Sequence, residues 1–216
     1  MAIKIGLPEK NVYAGIANMI LADIQSKGQE IKADLMLREA LHKVSHWLSN
    51  EETKDRKWLM MFGKSGDGKS TALRAVDALI KRLHDEGWTH LCKFSWKYIT
   101  ASDLHNVYLS DRATFNGIMN YNLLLIDDLG VEPLFAYEYG NELRPIVDMF
   151  NYRYDNRNER NLSMMFTTNI EPNDIEKRYG SRVFSRFCET CQSVKFGETD
   201  YRTIVKWTET EKGVPF

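Results

Sequence analysis

Nine consecutive residues carry a recognisable chemistry. Gly63, Lys64, Ser65, Gly66, Asp67, Gly68, Lys69, Ser70 and Thr71 follow the order G-x-x-x-x-G-K-[ST], the pattern of a phosphate-binding loop. Glycines let backbone N–H groups turn inward and approach a phosphate closely. A helix that starts at the loop presents its free N–H groups and its dipole to the anion. Lys69 would reach the β- and γ-phosphates, and the Ser70 hydroxyl would hold Mg²⁺. The expected ligand is ATP or a close nucleotide, with hydrolysis as the expected reaction.

A second group sits further along the chain. Leu123-Leu124-Leu125-Ile126-Asp127-Asp128 is an apolar run that ends in two carboxylates. As a strand, it would deliver both acids to the C-terminal edge of a sheet, where open α/β folds bind ligands. Asp127 would hold Mg²⁺ through its water shell, and Asp128 would orient or deprotonate the attacking water. An acidic turn after a core strand is the plainer explanation. The phosphate loop upstream makes it the lesser one.

Elements with particular periods must position these groups. Val12, Ile16, Ile20 and Ile24 recur four apart, and Leu35, Leu37, Leu41, Val44 and Trp47 follow. These spacings predict two amphipathic helices within residues 1–50. After a polar stretch at 49–57, strand and helix signals alternate. Strands are expected at 58–62, 91–100, 123–126, 164–168 and 193–196. Helices are expected after Ala72, within 101–121, over 137–157 with Pro145 as an obstacle, and over 174–187. Such alternation implies α/β architecture with a mainly parallel sheet covered on both faces. The interval between Lys69 and Asp127 holds a helix, a strand and a second helix. An extra strand between the phosphate-loop strand and the acidic strand is therefore expected, as in additional-strand NTPases.

Composition narrows the class. The 216 residues, 43% of them hydrophobic and 27% charged, are enough for one well-buried domain with a short extension. No apolar run approaches a membrane span and no signal-like segment opens the chain, so a cytoplasmic protein without membrane contact is expected. The net charge of −1 advertises no global nucleic-acid field. Two local basic clusters exist: Arg153, Arg157 and Arg160, then Lys177, Arg178, Arg182 and Arg186. Cys188 and Cys191 form a C-x-x-C without the second pair that a zinc site needs.

Taken together, the motifs resemble the AAA+ ATPases of the DnaC/IstB helicase-loader group over roughly residues 40–207. The marks are the phosphate loop, the acidic strand through Leu129-Gly130, Thr167-Thr168-Asn169 at a strand end, and Gly180-Ser181-Arg182-Val183-Phe184-Ser185-Arg186. The resemblance implies a P-loop NTPase of AAA+ type: a three-layer sandwich on a five-stranded sheet, with no C-terminal lid domain. It implies an N-terminal helical extension at 1–50 and the ATPase domain at 51–216. Asn169 takes the place of the sensor-1 residue at the γ-phosphate, although a helix cap is its plainer role. Arg182 and Arg186, four apart on one helix face, take the place of residues that act at a neighbouring subunit's nucleotide. Arg202, in Asp200-Tyr201-Arg202, stands where the family carries a nucleotide contact.

The implied function is an ATP- and Mg²⁺-dependent loader that forms a homo-oligomer and acts on single-stranded DNA with a replicative helicase. An IstB-like helper of a transposase shares the same core motifs. Two departures stand out. Asp128 replaces the family's frequent glutamate, so its carboxylate reaches about one methylene less far and slow turnover is expected. A nucleotide-dependent switch with little hydrolysis fits that shorter side chain. The part before the loop is also short for a helicase-binding segment. No basic lid closing over a phosphoryl acceptor is visible, which disfavours a small-molecule kinase.

Overall fold

The computed structural model describes residues 6–27, 34–49, 58–88 and 94–201, and the backbone alone at 29–30 and 206–207. Helices α1 (Glu9–Ser26) and α2 (Leu35–Ser49) come first, with the two-residue strand β1 (Gln29–Glu30) between them. Strand β2 (Trp58–Phe62) leads into α3 (Lys69–Asp85), followed by β3 (Trp96–Thr100), α4 (Ala101–Ser110) and α5 (Arg112–Met119). Strand β4 (Leu123–Leu129), a hairpin of β5 (Ala136–Glu138) and β6 (Asn141–Leu143), and α6 (Pro145–Asp155) come next. The remaining elements are β7 (Ser163–Thr168), α7 (Ile175–Tyr179), α8 (Ser181–Thr190), β8 (Cys191–Lys195) and β9 (Lys206–Trp207).

Five strands form the central sheet in the order β3-β4-β7-β2-β8, and every pairing is parallel. The expected extra strand is present: β7 separates the loop strand β2 from the acidic strand β4. Side chains on β2 divide by period two. Leu59 and Met61 enter a core with α1, α2 and α3, whereas Trp58 and Met60 enter one with α4 to α8. The result is a three-layer sandwich. The two N-terminal helices share the first core with α3, through Val12, Ile16, Leu41 and Val44 against Leu73, Val76 and Ile80.

Three local expectations need correction. Residues 137–157 are not one helix. Tyr139 and Gly140 both have positive φ, 50° and 81°, and form a two-residue turn that joins β5 to β6. Pro145 is no obstacle, because it occupies the first turn of α6, where no N–H is required. Residues 174–187 are two helices, since Gly180 (φ 92°, ψ 163°) breaks the chain between α7 and α8. Residues 101–121 likewise divide at Asp111, whose carboxylate caps α5 by accepting the Thr114 N–H at 2.9 Å. Residues 89–93, the start of the strand expected at 91–100, lie outside the described residues. No helix among the described residues is long and apolar enough to cross a membrane.

Candidate nucleotide site

The loop joins β2 to α3 at the C-terminal edge of the sheet. Two of its glycines have positive φ, where a side chain would be strained, and each is closely approached by a carboxylate. A Cβ on Gly63 (φ 152°) would lie 2.2 Å from Asp67 Oδ2, and one on Gly66 (φ 86°) would lie 2.0 Å from Asp200 Oδ1. Gly68 stands at the helix N-terminus in a left-handed conformation, with no capping side chain of its own. The first N–H of α3, on Lys69, meets Asp67 Oδ1 at 3.2 Å. Lys69 Nζ donates to Gly63 O (3.0 Å), Lys64 O (2.6 Å) and Asp67 Oδ1 (2.8 Å). Lys69 is 4% exposed and Asp67 1%. Burial pushes the Asp67 carboxyl up, and its pairing with Lys69 pulls it back. Ser70 and Thr71 are half-buried, and Lys64 and Ser65 are exposed.

The segment after β8 folds back onto this loop. The Tyr201 N–H donates to Gly66 O at 3.0 Å, and Asp200 packs against Gly66. The Tyr201 hydroxyl accepts the Asp34 N–H at 3.3 Å, and Thr199 Oγ1 donates to Asp34 Oδ2 at 2.8 Å. Asp34 also receives the Leu37 N–H at 2.8 Å, which caps α2. The start of α2 and the Asp200-Tyr201 pair thus brace the loop from one side. Arg202 lies outside the described residues.

Asp127 ends the buried part of β4 and is itself 3% exposed. Both of its oxygens are held by hydroxyl donors: Tyr98 to Oδ2 at 2.6 Å and Thr167 to Oδ1 at 2.6 Å. The Arg74 guanidinium lies 3.9 Å from Oδ2. Arg74 is four residues beyond Ser70, so it stands on the same face of α3. Burial and the adjacent Asp127 carboxylate push the Tyr98 phenol well up, so it stays a donor. Asp128 is exposed and has a positive φ of 57°, at the point where the β4–β7 register shifts. Its N–H donates to Thr167 Oγ1 at 2.8 Å. A non-glycine residue in this region is strained, and such strain concentrates at functional sites.

Asn169 follows β7 directly and is exposed. It caps no helix, because the next turn runs Pro172–Asp174 behind Glu171. The arginines separate in role. Arg186 binds its own chain: Nη1 donates to Asn151 Oδ1 at 2.6 Å and Nη2 to Asp155 Oδ1 at 2.8 Å. Arg182 is exposed on α8. Arg178 Nη2 lies 3.3 Å from Glu132 Oε1, a buried carboxylate that also accepts from the Tyr179 hydroxyl and the Gly130 N–H at 2.7 Å each. This knot ties the loop after β4 to α7. Sequence reasoning missed Arg74, Tyr98 and Glu132 altogether.

No family model matches the chain, and no curated protein does. Solved structures do match. The DnaC helicase loader aligns with a TM-score of 0.56 at 18% identity, over 78% of this chain and 94% of its own. DnaI aligns with a TM-score of 0.55 at 19% identity, over 88% and 95%. The replication initiator DnaA, bound to AMPPCP and single-stranded DNA, aligns with a TM-score of 0.52 at 18% identity, over 77% of this chain and 48% of its own. The chain shares the α/β fold of these structures, with its five-stranded parallel sheet between helical layers. The chain spans about half the length of that DnaA structure. Within this fold, Lys69, Ser70, Asp127, Asp128 and Asn169 all stand at the C-terminal ends of β2, β4 and β7.

These residues fit a magnesium nucleotide. A buried ammonium and a helix N-terminus already hold one carboxylate as an anion would be held, and Asp127 is a fixed carboxylate at the same sheet edge. Ser70 and Asp127 would hold Mg²⁺, which when bound supplies charge neutralisation on the phosphates. Tyr98 and Thr167 orient Asp127, so removing one donor should loosen it. Tyr98→Phe is expected to raise the Mg²⁺ concentration for half-maximal ATPase by about ten- to a hundredfold, the worth of one hydrogen bond to a charged ligand. Nucleotide affinity measured without Mg²⁺ should not change. A metal titration that matches wild type would remove Tyr98 from the site.

Proposed function

We propose that the chain is an ATP-binding and ATP-hydrolysing helicase loader in DNA replication. It assembles on ATP into a homo-oligomer, engages single-stranded DNA and acts with a replicative helicase. The observation that carries the reading is the site itself: Lys69 at the start of α3, and braced Asp127 with exposed Asp128 on β4, across β7 from the loop strand. Support for the loader role comes from the fold shared with the DnaC helicase loader and with single-stranded-DNA-bound DnaA.

In this reading Lys69 binds and orients the transferring phosphate. Asp128 takes up or orients the proton of the attacking water, and Asn169 holds that water or the γ-phosphate oxygens. Arg182, exposed, is the better candidate to act at a neighbour's nucleotide. Arg186 is committed to Asn151 and Asp155 in its own chain. Arg182→Ala is expected to leave nucleotide binding unchanged and to cut ATPase at oligomer-forming concentrations by about a hundred- to a thousandfold, the range for loss of a transition-state donor. An equal fall at concentrations too low for assembly would assign Arg182 another role.

A pull-down with ATP tests the partner, with a replicative helicase as the expected capture and a transposase as the result that favours the IstB-like alternative. Binding of labelled single strands in ATP should weaken steeply with salt. Salt-insensitive or absent binding would sink the loader reading. A second reading, a nucleotide-dependent switch with little turnover, rests on the short side chain of Asp128. Hydrolysis measured with and without single-stranded DNA separates the two.

A further inference from the structure

An acidic side chain inside a phosphate-binding loop calls for an explanation. Asp67 is the residue before Gly68-Lys69, and its carboxylate is buried within the loop. Its Oδ1 takes the Lys69 backbone N–H and Lys69 Nζ together, at 3.2 and 2.8 Å. Those are two of the donors a loop of this kind offers to a phosphate oxygen. Its Oδ2 is buried with no hydrogen-bond partner and packs against the Cα of Gly63. A buried carboxylate oxygen without a donor is costly, so this placement is a poor choice for stability alone.

Donor counting sharpens the point. An ammonium has three N–H donors. Lys69 Nζ has three acceptors in its own loop: Gly63 O, Lys64 O and Asp67 Oδ1. A phosphate oxygen can reach Nζ only by displacing one of them. The two carbonyls are neutral and fixed by the loop backbone. Asp67 is a side chain, and its negative charge repels a polyphosphate brought into the same space.

We propose that Asp67 is the resident anion of the phosphate cradle and sets nucleotide affinity by competing with the incoming phosphates for Lys69. This rests on reading the loop as a nucleotide site. The carboxylate acts as an internal competitor: it lowers affinity for every phosphate ligand and excludes weak ones such as inorganic phosphate. Two replacements separate charge from shape. Asp67→Asn keeps the volume and an acceptor oxygen but removes the charge, and Asp67→Ala removes both.

The test is calorimetric titration of the full chain with the non-hydrolysable analogue AMPPCP and Mg²⁺, with folding checked by thermal melting. Asp67→Ala is expected to bind about tenfold more tightly than wild type and Asp67→Asn several-fold more tightly, a gain near 1.4 kcal/mol for the tenfold change. Affinity unchanged or weaker in a folded Asp67→Asn overturns the proposal, even where Asp67→Ala does not fold. Lys69→Met in parallel separates the two readings. Wild-type binding that depends on Lys69, without tightening in the Asp67 variants, defeats only the competitor role. Wild-type binding that does not depend on Lys69 defeats both.

Discussion

Replacing Lys69 with alanine is expected to weaken ATP binding and turnover together by about 10³-fold, and also to destabilise the fold. The first effect follows from losing charge-assisted contacts to the phosphates, worth about 1.5–3 kcal/mol each. The second follows from Asp67. With Lys69 gone, a carboxylate that is 1% exposed keeps only a backbone N–H. Removing one partner of a buried pair costs about 3–5 kcal/mol, and Asp67 can limit that by taking up a proton. For a chain of this size each kcal/mol moves the melting temperature by about 2–4 °C. A fall of roughly 6–20 °C is expected, toward the lower end where Asp67 takes up a proton. Loss of activity in Lys69→Ala would then have two sources, and one more variant divides them. Asp67→Ala with Lys69→Ala should regain most of the melting temperature and none of the nucleotide binding. Recovery of binding in the double variant would exclude Lys69 as the phosphate ligand, and an unchanged melting temperature in the single variant would show that the pair is not stabilising.

The parts of this site that were legible in the sequence are those whose chemistry is contiguous. The loop at 63–71 and the acids at 127 and 128 each carry their meaning within a few residues. An extra strand between the loop strand and the acidic strand could be expected from what fits between them. What the sequence hid depends on partners brought in by topology. Tyr98 looks like any strand aromatic until β3 pairs with β4 and sets its hydroxyl on Asp127. Glu132 reads as a loop acid, yet it is buried beneath Tyr179 and Arg178. The hairpin at 136–143 escaped because its turn uses Tyr139 at positive φ, a position where asparagine or glycine would have announced it. The basic clusters likewise acquire partners through topology. Arg157 pairs with Glu189 at 2.6 Å, and Arg160 donates to Asn120 at 2.6 Å. Arg157 is thus paired with a carboxylate of its own chain, whereas Arg160 meets a neutral amide and keeps its charge.

Arg153 is the extreme case and sets the largest stability effect expected outside the site. It sits in α6 with no exposed surface. Its guanidinium donates to the carbonyls of Met119, Tyr121, Asn122 and Ser163, which close α5 and open β4 and β7. Burial pushes its pKa down to about 9, and the charge interaction with Tyr152 raises it in turn. This is a neutral-acceptor clamp at the end of the sheet opposite the nucleotide site. Asn122 O also receives the Ser163 N–H at 2.7 Å, so it keeps a partner without Arg153. By the β4–β7 register Ser163 O also faces the Leu124 N–H, so Arg153→Met preserves length and apolar bulk but leaves the Met119 and Tyr121 carbonyls without this donor. Each buried carbonyl left without a donor costs about 1–3 kcal/mol. A total of roughly 2–6 kcal/mol for the two would lower the melting temperature by about 4–24 °C. Arg153→Lys should recover only part of this, because one ammonium cannot span the fork of carbonyls that a planar guanidinium does. Nucleotide affinity, measured well below the new transition, should match wild type, since β4 and β7 carry their functional residues at the other end. A methionine variant with unchanged melting would mean that water replaces the guanidinium at these carbonyls. A variant that melts normally but loses nucleotide binding would mean that the clamp sets the register of β4 against β7, and through it the position of Asp127.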